Sequence, residues 1–377
     1  MITEINAKSL LRRYKRVDSW FLCCAGLNLY RGCLHDCSYC DGRAERYQVK
    51  GEFGKEVAVK VNAPELLQRE LDPARKRIPF PEGYIILGGG VGDSYQPAEA
   101  QYELMRQTLE LCQEFRHPVH LITKSLLVRR DFELLSDMLR RSSVLVSVSF
   151  STLDDEIARV FEPHVPSPTH RLQLLRDLKT AGIPCGMMLM PVLPYISDSI
   201  DQLSVVVNTA SRIGLDYVIM GLLTLKKGRQ RNYFGQVLKE YDAALNPYYE
   251  QIYKDPKWGS PASFYSAEVQ SQFGKLAREK GINQRIPIRL FPAQMSQRDR
   301  VAIMLEHLDH YWRQIRKESP FKIAAGSIWQ LPRRTDLDCE NILQLKGVGR
   351  FTERVIRSFL TTGECIVLEQ VRSGEQS

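Results

Sequence analysis

The chain has 377 residues, 44% of them hydrophobic and 25% charged, proportions that allow one large domain with an appendage or two modest domains. Its 52 basic and 44 acidic side chains leave a formal charge of +8, which favours an anionic partner without specifying one. Near the N-terminus the only apolar run, Trp20 to Leu29, is interrupted by Gly26 and Asn28 and is too short to cross a bilayer, which speaks against a membrane protein and for a cytoplasmic one. Nine cysteines, an odd number in a long chain without a secretory signal, speak against a disulfide framework and for a metal or redox role.

From residue 27 to residue 222 short apolar runs alternate with amphipathic stretches. Runs rich in Val, Ile and Leu predict buried parallel strands at Leu27–Gly32, Tyr84–Leu87, Val119–Thr123, Val144–Phe150, Pro184–Met190 and Tyr217–Leu222. Between them, helical periodicity predicts helices at Ala98–Glu114, Asp131–Arg140, Asp154–Val160, Pro168–Thr180 and Ser199–Arg212. The alternation predicts an α/β fold, a parallel barrel or a doubly wound sheet. Past Leu225 the strand signal fades. Lys226–Arg231 reads as a basic link into a tyrosine-rich helical region, and a small helical module follows from about Pro320. The expected units are therefore an extension (1–26), a core (27–225), a helical region (226–319) and the terminal module (320–377).

Three of the cysteines, Cys33, Cys37 and Cys40, fall in one short loop directly after the first predicted strand. An iron–sulfur cubane takes one thiolate per iron, so Cys-x3-Cys-x2-Cys supplies three ligands and leaves the fourth iron open to chelate a substrate. Arg31 would favour the thiolate forms, and Tyr39 can lay an aromatic face beside the metal. The alternative is a zinc-binding module with His35 as fourth ligand, although zinc sites usually pair two knuckles across a longer loop.

Cys-x3-Cys-x-aromatic-Cys at the end of a first strand resembles the signature of the radical S-adenosylmethionine (SAM) superfamily. Four further stretches resemble its spore photoproduct lyase-like group: Asn28–Cys33, Gly92–Glu99, Thr123-Lys124-Ser125 with Arg130-Asp131, and Glu162-Pro163 with Pro166-Ser167-Pro168. The resemblance covers roughly residues 27–225. It implies a partial (β/α)6 TIM-type barrel with a helical C-terminal extension, a [4Fe-4S] cluster on Cys33, Cys37 and Cys40, and SAM on its open iron. It also implies reductive cleavage of SAM to a 5′-deoxyadenosyl radical and a reductant such as flavodoxin or ferredoxin.

In that group the loop after the second strand holds the SAM amino group, which points here to Gly89, Gly90 and Asp93; Lys124 matches the lysine that pairs with the SAM carboxylate. Ser149, or its neighbours Ser147 and Ser151, can reach the ribose hydroxyls. Spore photoproduct lyases resemble one another in a cysteine hydrogen donor three residues before the loop aspartate, where this chain has Gly90. Cys185 or Tyr95 are the candidates to replace it, while Cys23, Cys24, Cys112, Cys339 and Cys365 read as ordinary core cysteines. Around Lys346-Gly347-Val348-Gly349-Arg350 the chain resembles a helix-hairpin-helix, whose glycine turn offers N–H groups to phosphates; ordinary C-capping reads the same way. A nucleic-acid substrate in DNA repair or modification is the leading expectation, with a small molecule or peptide as the alternative.

Overall fold

The structure is a computed structural model; it describes all residues except 48, 50, 76–81, 89–90, 256–257, 317, 339–340 and 375–377. Cys339 thus lies outside the described residues. Among the described residues ten strands form two sheets. The smaller joins β1 (Ile2–Ile5), β5 (Val57–Lys60) and β4 (Tyr30–Arg31). The larger runs in the order β10-β9-β8-β7-β6-β3-β2, with β2 at Arg12–Arg13, β3 at Cys23–Leu27 and β6 at Tyr84–Leu87. Its remaining strands are β7 (Val119–Thr123), β8 (Val144–Phe150), β9 (Cys185–Val192) and β10 (Val218–Leu222).

All neighbours from β3 to β10 pair in parallel, and only the edge strand β2 is antiparallel. Six parallel strands in chain order are the partial (β/α)6 barrel expected, left open between β2 and β10. β3, β6 and β8 are buried along their whole length and β7 at every position but Ile122, as apolar runs covered on both faces require.

Three of the strand expectations match to the residue, but the first does not. β3 occupies Cys23–Leu27 rather than Leu27–Gly32, because the chain breaks after Leu27 and its continuation, β4, turns away into the smaller sheet. Gly26, which reads as a breaker, is an interior strand position: a Cβ there would lie 2.7 Å from Tyr14 Oη and 2.9 Å from Ile86 Cγ2. Close approach, not a turn, explains it.

Helices α1 (Ala63–Leu71), α2 (Glu99–Tyr102), α3 (Leu104–Glu114), α4 (Phe132–Leu139), α5 (Asp155–Phe161), α6 (Pro168–Thr180) and α7 (Ile200–Ile213) accompany the strands. The helix expected over Ala98–Glu114 is two, since Glu103 takes the left-handed conformation, with φ 51°. Asp154, Ser167 and Ser199 cap α5, α6 and α7 by accepting from backbone N–H groups of the first turn.

The C-terminal extension is helical as expected: α8 (Arg229–Asp242), α9 (Asn246–Ile252), α10 (Ser263–Glu279), α11 (Gln297–Trp312), α12 (Phe321–Gln330), α13 (Arg350–Thr362) and α14 (Ile366–Ser373). Residues of α11 to α14 share one apolar cluster, while Ile286, Phe291, Met295 and Ile303 join a second with Ala25, Ile86, Met188 and Ile219 of the sheet. In the glycine turn before α13, a Cβ on Gly347 would lie 2.6 Å from Ile323 Cγ2 and 2.9 Å from the Ala324 nitrogen. That glycine is needed to seat the turn on α12.

Inside the sheet a buried polar chain runs from β7 through β8 to Tyr217, just before β10. His120 Nδ1 lies 2.9 Å from the Phe21 carbonyl and its Nε2 2.8 Å from Ser147 Oγ, which is 2.7 Å from Tyr217 Oη. Burial pushes the His120 pKa down to about 4, so the ring is neutral at pH 7. Tyr217 lies over Gly186 of β9, where a Cβ would come within 2.3 Å of the phenol ring. Gly186→Ala is expected to lose about 1–3 kcal/mol through overpacking, read as a lower denaturation midpoint at unchanged slope.

Candidate functional site

A cavity of about 710 Å³ runs from the C-terminal ends of the strands along the inner face of the sheet, within the ~300–1,000 Å³ of ordinary ligand sites. Cys33, Cys37, Cys40, Tyr39, Asp93, Lys124 and Ser149 all line it, so the structure brings together seven of the nine residues expected to bind metal or SAM. The other two, Gly89 and Gly90, lie outside the described residues.

The cysteine loop is held from several sides. Leu34 N–H donates to Gln96 Oε1 (2.9 Å) and Gln96 Nε2 to the Gly32 carbonyl (3.2 Å), tying it to the loop after β6. Arg43 donates from Nε to the Cys37 carbonyl (3.1 Å) and pairs with the Asp36 carboxylate. Ser38 N–H reaches the Phe161 carbonyl at the end of α5 (2.9 Å). On the far side Gln230 Nε2 donates to the Tyr39 carbonyl (2.9 Å), and Lys226 Nζ to Asp41 Oδ2 (2.5 Å). Within the basic link Lys226–Arg231, Lys226 and Gln230 are buried and clamp the cysteine loop, while Lys227 and Arg229 are exposed.

Burial pushes the Cys33 thiol up to about 12, with Asp93 and Cys40 adding to the rise. Burial also raises Cys37, against Lys124, and Cys40, against the Gly42 N–H and the charges of Arg43 and Lys124. The cations acting on the thiols are therefore Lys124 and Arg43, whereas Arg31 is exposed on β4. Buried thiols ionise when a cation shares their site, which is the condition a metal cluster meets. Among the described residues no three His, Cys, Asp or Glu side chains converge as one ion requires, and His35 Nδ1 faces Asp93 Oδ2 at 3.6 Å. A cubane needs no such convergence, because its cysteines bind at separate corners. The three thiols in one cavity wall fit it.

Asp93 organises the mouth. Its carboxylate accepts from Tyr95 N–H (2.9 Å), Thr123 Oγ1 (2.8 Å) and Lys124 N–H (2.7 Å), fastening the β6 loop to the end of β7. The loop turns at Gly88, with φ 84°, where a Cβ would meet the Ile122 carbonyl at 2.4 Å. Ser149 Oγ donates to the Met190 carbonyl (3.1 Å) and retains its lone pairs toward the cavity.

The residue that sequence reasoning missed as part of the site is Glu162. Fully buried, it accepts from Lys124 Nζ (2.8 Å) and Ser151 Oγ (2.9 Å), from the Tyr39 hydroxyl and from Arg171. Lys124 Nζ also donates to Tyr39 Oη (2.9 Å), leaving one of its three N–H bonds for a ligand carboxylate. Burial alone would raise the Glu162 pKa, but the Arg171 and Lys124 charges and the hydrogen bonds hold it well below the usual carboxylate range. Glu162-Pro163 was visible as a motif; nothing in the sequence shows that four groups converge on it.

Neither hydrogen-donor candidate lines the cavity. Tyr95 donates to Asp131 Oδ2 (2.9 Å), in a buried network with Arg130 and Glu99. Cys185 begins β9, at the end of the sheet opposite the mouth, with its thiol 3.8 Å from the Leu175 carbonyl. Cys23 and Tyr14, by contrast, do line it.

Residues 27–203 match the radical SAM superfamily. The matched stretch carries strands β6 to β9 and the three thiols that line the cavity. The fold of the chain is that of spore photoproduct lyase: the structure of that enzyme complexed with dinucleoside spore photoproduct matches with TM-score 0.55 at 13% identity, over 74% of this chain and 78% of that one. A form of the lyase with bound AdoMet matches with TM-score 0.52 at 14% identity, over 71% and 77%. In sequence, the chain is 31% identical over 232 residues to an uncharacterized protein of Mycobacterium tuberculosis (strain ATCC 25618 / H37Rv). That match takes in 60% of this chain and 66% of the relative, just short of two thirds of its length. An uncharacterized protein of Acidianus two-tailed virus is 27% identical over 249 residues, 62% of this chain and 79% of the relative. No described helix is long and apolar enough to cross a membrane.

Unfolded glutamate titrates near about 4.3, and the folded Glu162 carboxyl below that, so under acid the unfolded chain binds the extra proton. This contribution to stability is complete above about pH 4.3 and fades as the pH falls toward the folded value. Glu162→Gln is expected to cost about 3–5 kcal/mol at pH 7, because Arg171 is left buried without its countercharge. It is also expected to flatten the acid limb of stability, as measured by urea denaturation at pH 7 and at stepped values below 5.

Proposed function

We propose that this protein is a radical SAM enzyme that binds a [4Fe-4S] cluster through Cys33, Cys37 and Cys40, cleaves SAM reductively, and directs the chemistry at a nucleic-acid substrate in repair or modification. The observation that carries the reading is three thiols, Cys33 and Cys37 buried and Cys40 half-buried, in the wall of the cavity that also receives Lys124, Ser149 and Asp93. When bound, the cluster supplies one electron to the SAM sulfonium, releasing the 5′-deoxyadenosyl radical.

The chain's own part is to position and shield. Lys124, fixed by Glu162 and Tyr39, presents an N–H to the SAM carboxylate. Asp93, with Gly89 and Gly90 as the resemblance implies, receives the amino group, and Ser149 the ribose. Met188, Met190, Ile86 and Ile122 give the cavity an apolar lining that keeps water from a reactive radical. The electron arrives from a reductant such as a flavodoxin or ferredoxin. Support for a nucleic-acid substrate comes from the charge of +8, the hairpin motif before α13, and the fold shared with an enzyme solved with a dinucleoside photoproduct.

After anaerobic reconstitution with iron and sulfide and reduction by dithionite, the protein is expected to convert SAM to 5′-deoxyadenosine, detected by chromatography. Cys37→Ala is expected to abolish that product and the cluster's visible absorbance. A reduced, intact cluster that yields no 5′-deoxyadenosine, with or without added oligonucleotide, would sink the reading.

A further inference from the structure

One wall of the cavity comes from outside the matched superfamily region. Tyr14, Lys15 and Arg16 line it from the N-terminal segment, facing Gly221–Thr224 across the opening between the two edges of the sheet. Within five residues this segment carries Arg12, Arg13, Lys15 and Arg16, all exposed. We propose that Arg12, Lys15 and Arg16 form a phosphate-binding rim that holds the phosphodiester backbone of a nucleic-acid strand across that opening, so that one nucleotide enters the cavity. The inference rests on the nucleic-acid reading above and assigns residues to it.

The segment is fixed relative to the thiols. Tyr14 N–H donates to the Cys24 carbonyl and Asp18 N–H to the Cys23 carbonyl, both at 2.9 Å, pinning the rim to β3. From behind, His307 Nε2 lies 2.9 Å from the Ser19 carbonyl, and the Arg16 guanidinium sits 5.3 Å from the Trp329 ring.

The charge balance favours a polyanion. Among the described residues Arg12 and Lys15 have no carboxylate partner, and Arg16 meets only Glu306, at 3.6 Å and largely exposed. Of the carboxylates in the cavity wall, Asp18 accepts from Trp20 and Phe21 N–H, Asp41 is neutralised by Lys226, and Asp93 is bound to Thr123 and Lys124 N–H. Tyr14 adds an aromatic ring to the cavity wall beside Lys15 and Arg16, and aromatic rings with cations are the combination with which single-strand binders hold a backbone and stack a base. A base reaches such a cavity only out of its stack, so a single strand binds better than a duplex.

The test is fluorescence anisotropy with the reconstituted full chain and labelled single-stranded DNA, the same sequence as RNA, and the DNA duplex, across about 50–200 mM salt. The double substitution Arg12→Glu, Lys15→Glu is expected to weaken single-strand binding at least about tenfold and to reduce the salt slope by about 1.4, two contacts' worth. Arg12→Gln, Lys15→Gln should weaken it in the same direction by less, with iron content and thermal midpoint reporting on the fold of both variants. Whichever of DNA or RNA binds more tightly identifies the source of the phosphodiester. If both variants bind like the parent while Lys346→Glu, Arg350→Glu loses binding, the contact lies at the hairpin and the rim is overturned with the nucleic-acid reading intact. Should the parent itself bind neither strand, the reading and the rim fall together.

Discussion

The Glu162 carboxylate is the point on which the mouth of the barrel depends. It takes Tyr39 from the cysteine loop, Lys124 from the end of β7, Ser151 from just after β8 and Arg171 from α6, so four separate parts of the chain are referred to one buried charge. A fully buried carboxylate is tolerable only with its charge matched and its lone pairs filled, and those conditions fix the positions of Lys124 and Tyr39. Arg171 extends the constraint, since its other arm donates to the Ser149 carbonyl (2.5 Å), setting the backbone from which Ser149 faces the cavity.

Two further anchors share the labour. Asp93 locks the β6 loop to β7 through backbone and hydroxyl donors, and a second buried network of Tyr30, Glu99, Arg130, Asp131 and Tyr95 fixes the same loop from the helix side. The resembling stretches noted in the sequence therefore contribute mostly to holding loops. Of the polar residues in Gly92–Glu99, Gln96 grips the cysteine loop and Glu99 takes Tyr30 and Arg130; neither lines the cavity.

The alternation of apolar runs with amphipathic helices made the parallel sheet legible, and β6, β7 and β8 lie where periodicity predicts, because buried parallel strands read as uninterrupted Val, Ile and Leu. The spacing of Cys33, Cys37 and Cys40 was legible for a different reason, being local in the chain. What stayed hidden was long-range. Glu162 meets Tyr39 across 123 positions, and the strand placed at Leu27–Gly32 proved to be a break between two sheets, since nothing local distinguishes Gly26 in a strand from Gly26 in a turn. The donor candidates Cys185 and Tyr95 were chosen by residue type, and type alone does not say which end of a strand or which face of a loop a side chain occupies.

The clamp of α8 on the cysteine loop bears on how the protein is made. Gln230 meets the Asp41 carboxylate across 189 positions and Lys226 across 185, so these contacts form only once the strands between them have been synthesised and ordered. During translation the cysteine loop leaves the ribosome before α8 and stays unclamped while strands β5 to β10 are made. If the proposed cluster is delivered before α8 closes, it meets an accessible loop; delivered afterwards, it has to pass through the cavity.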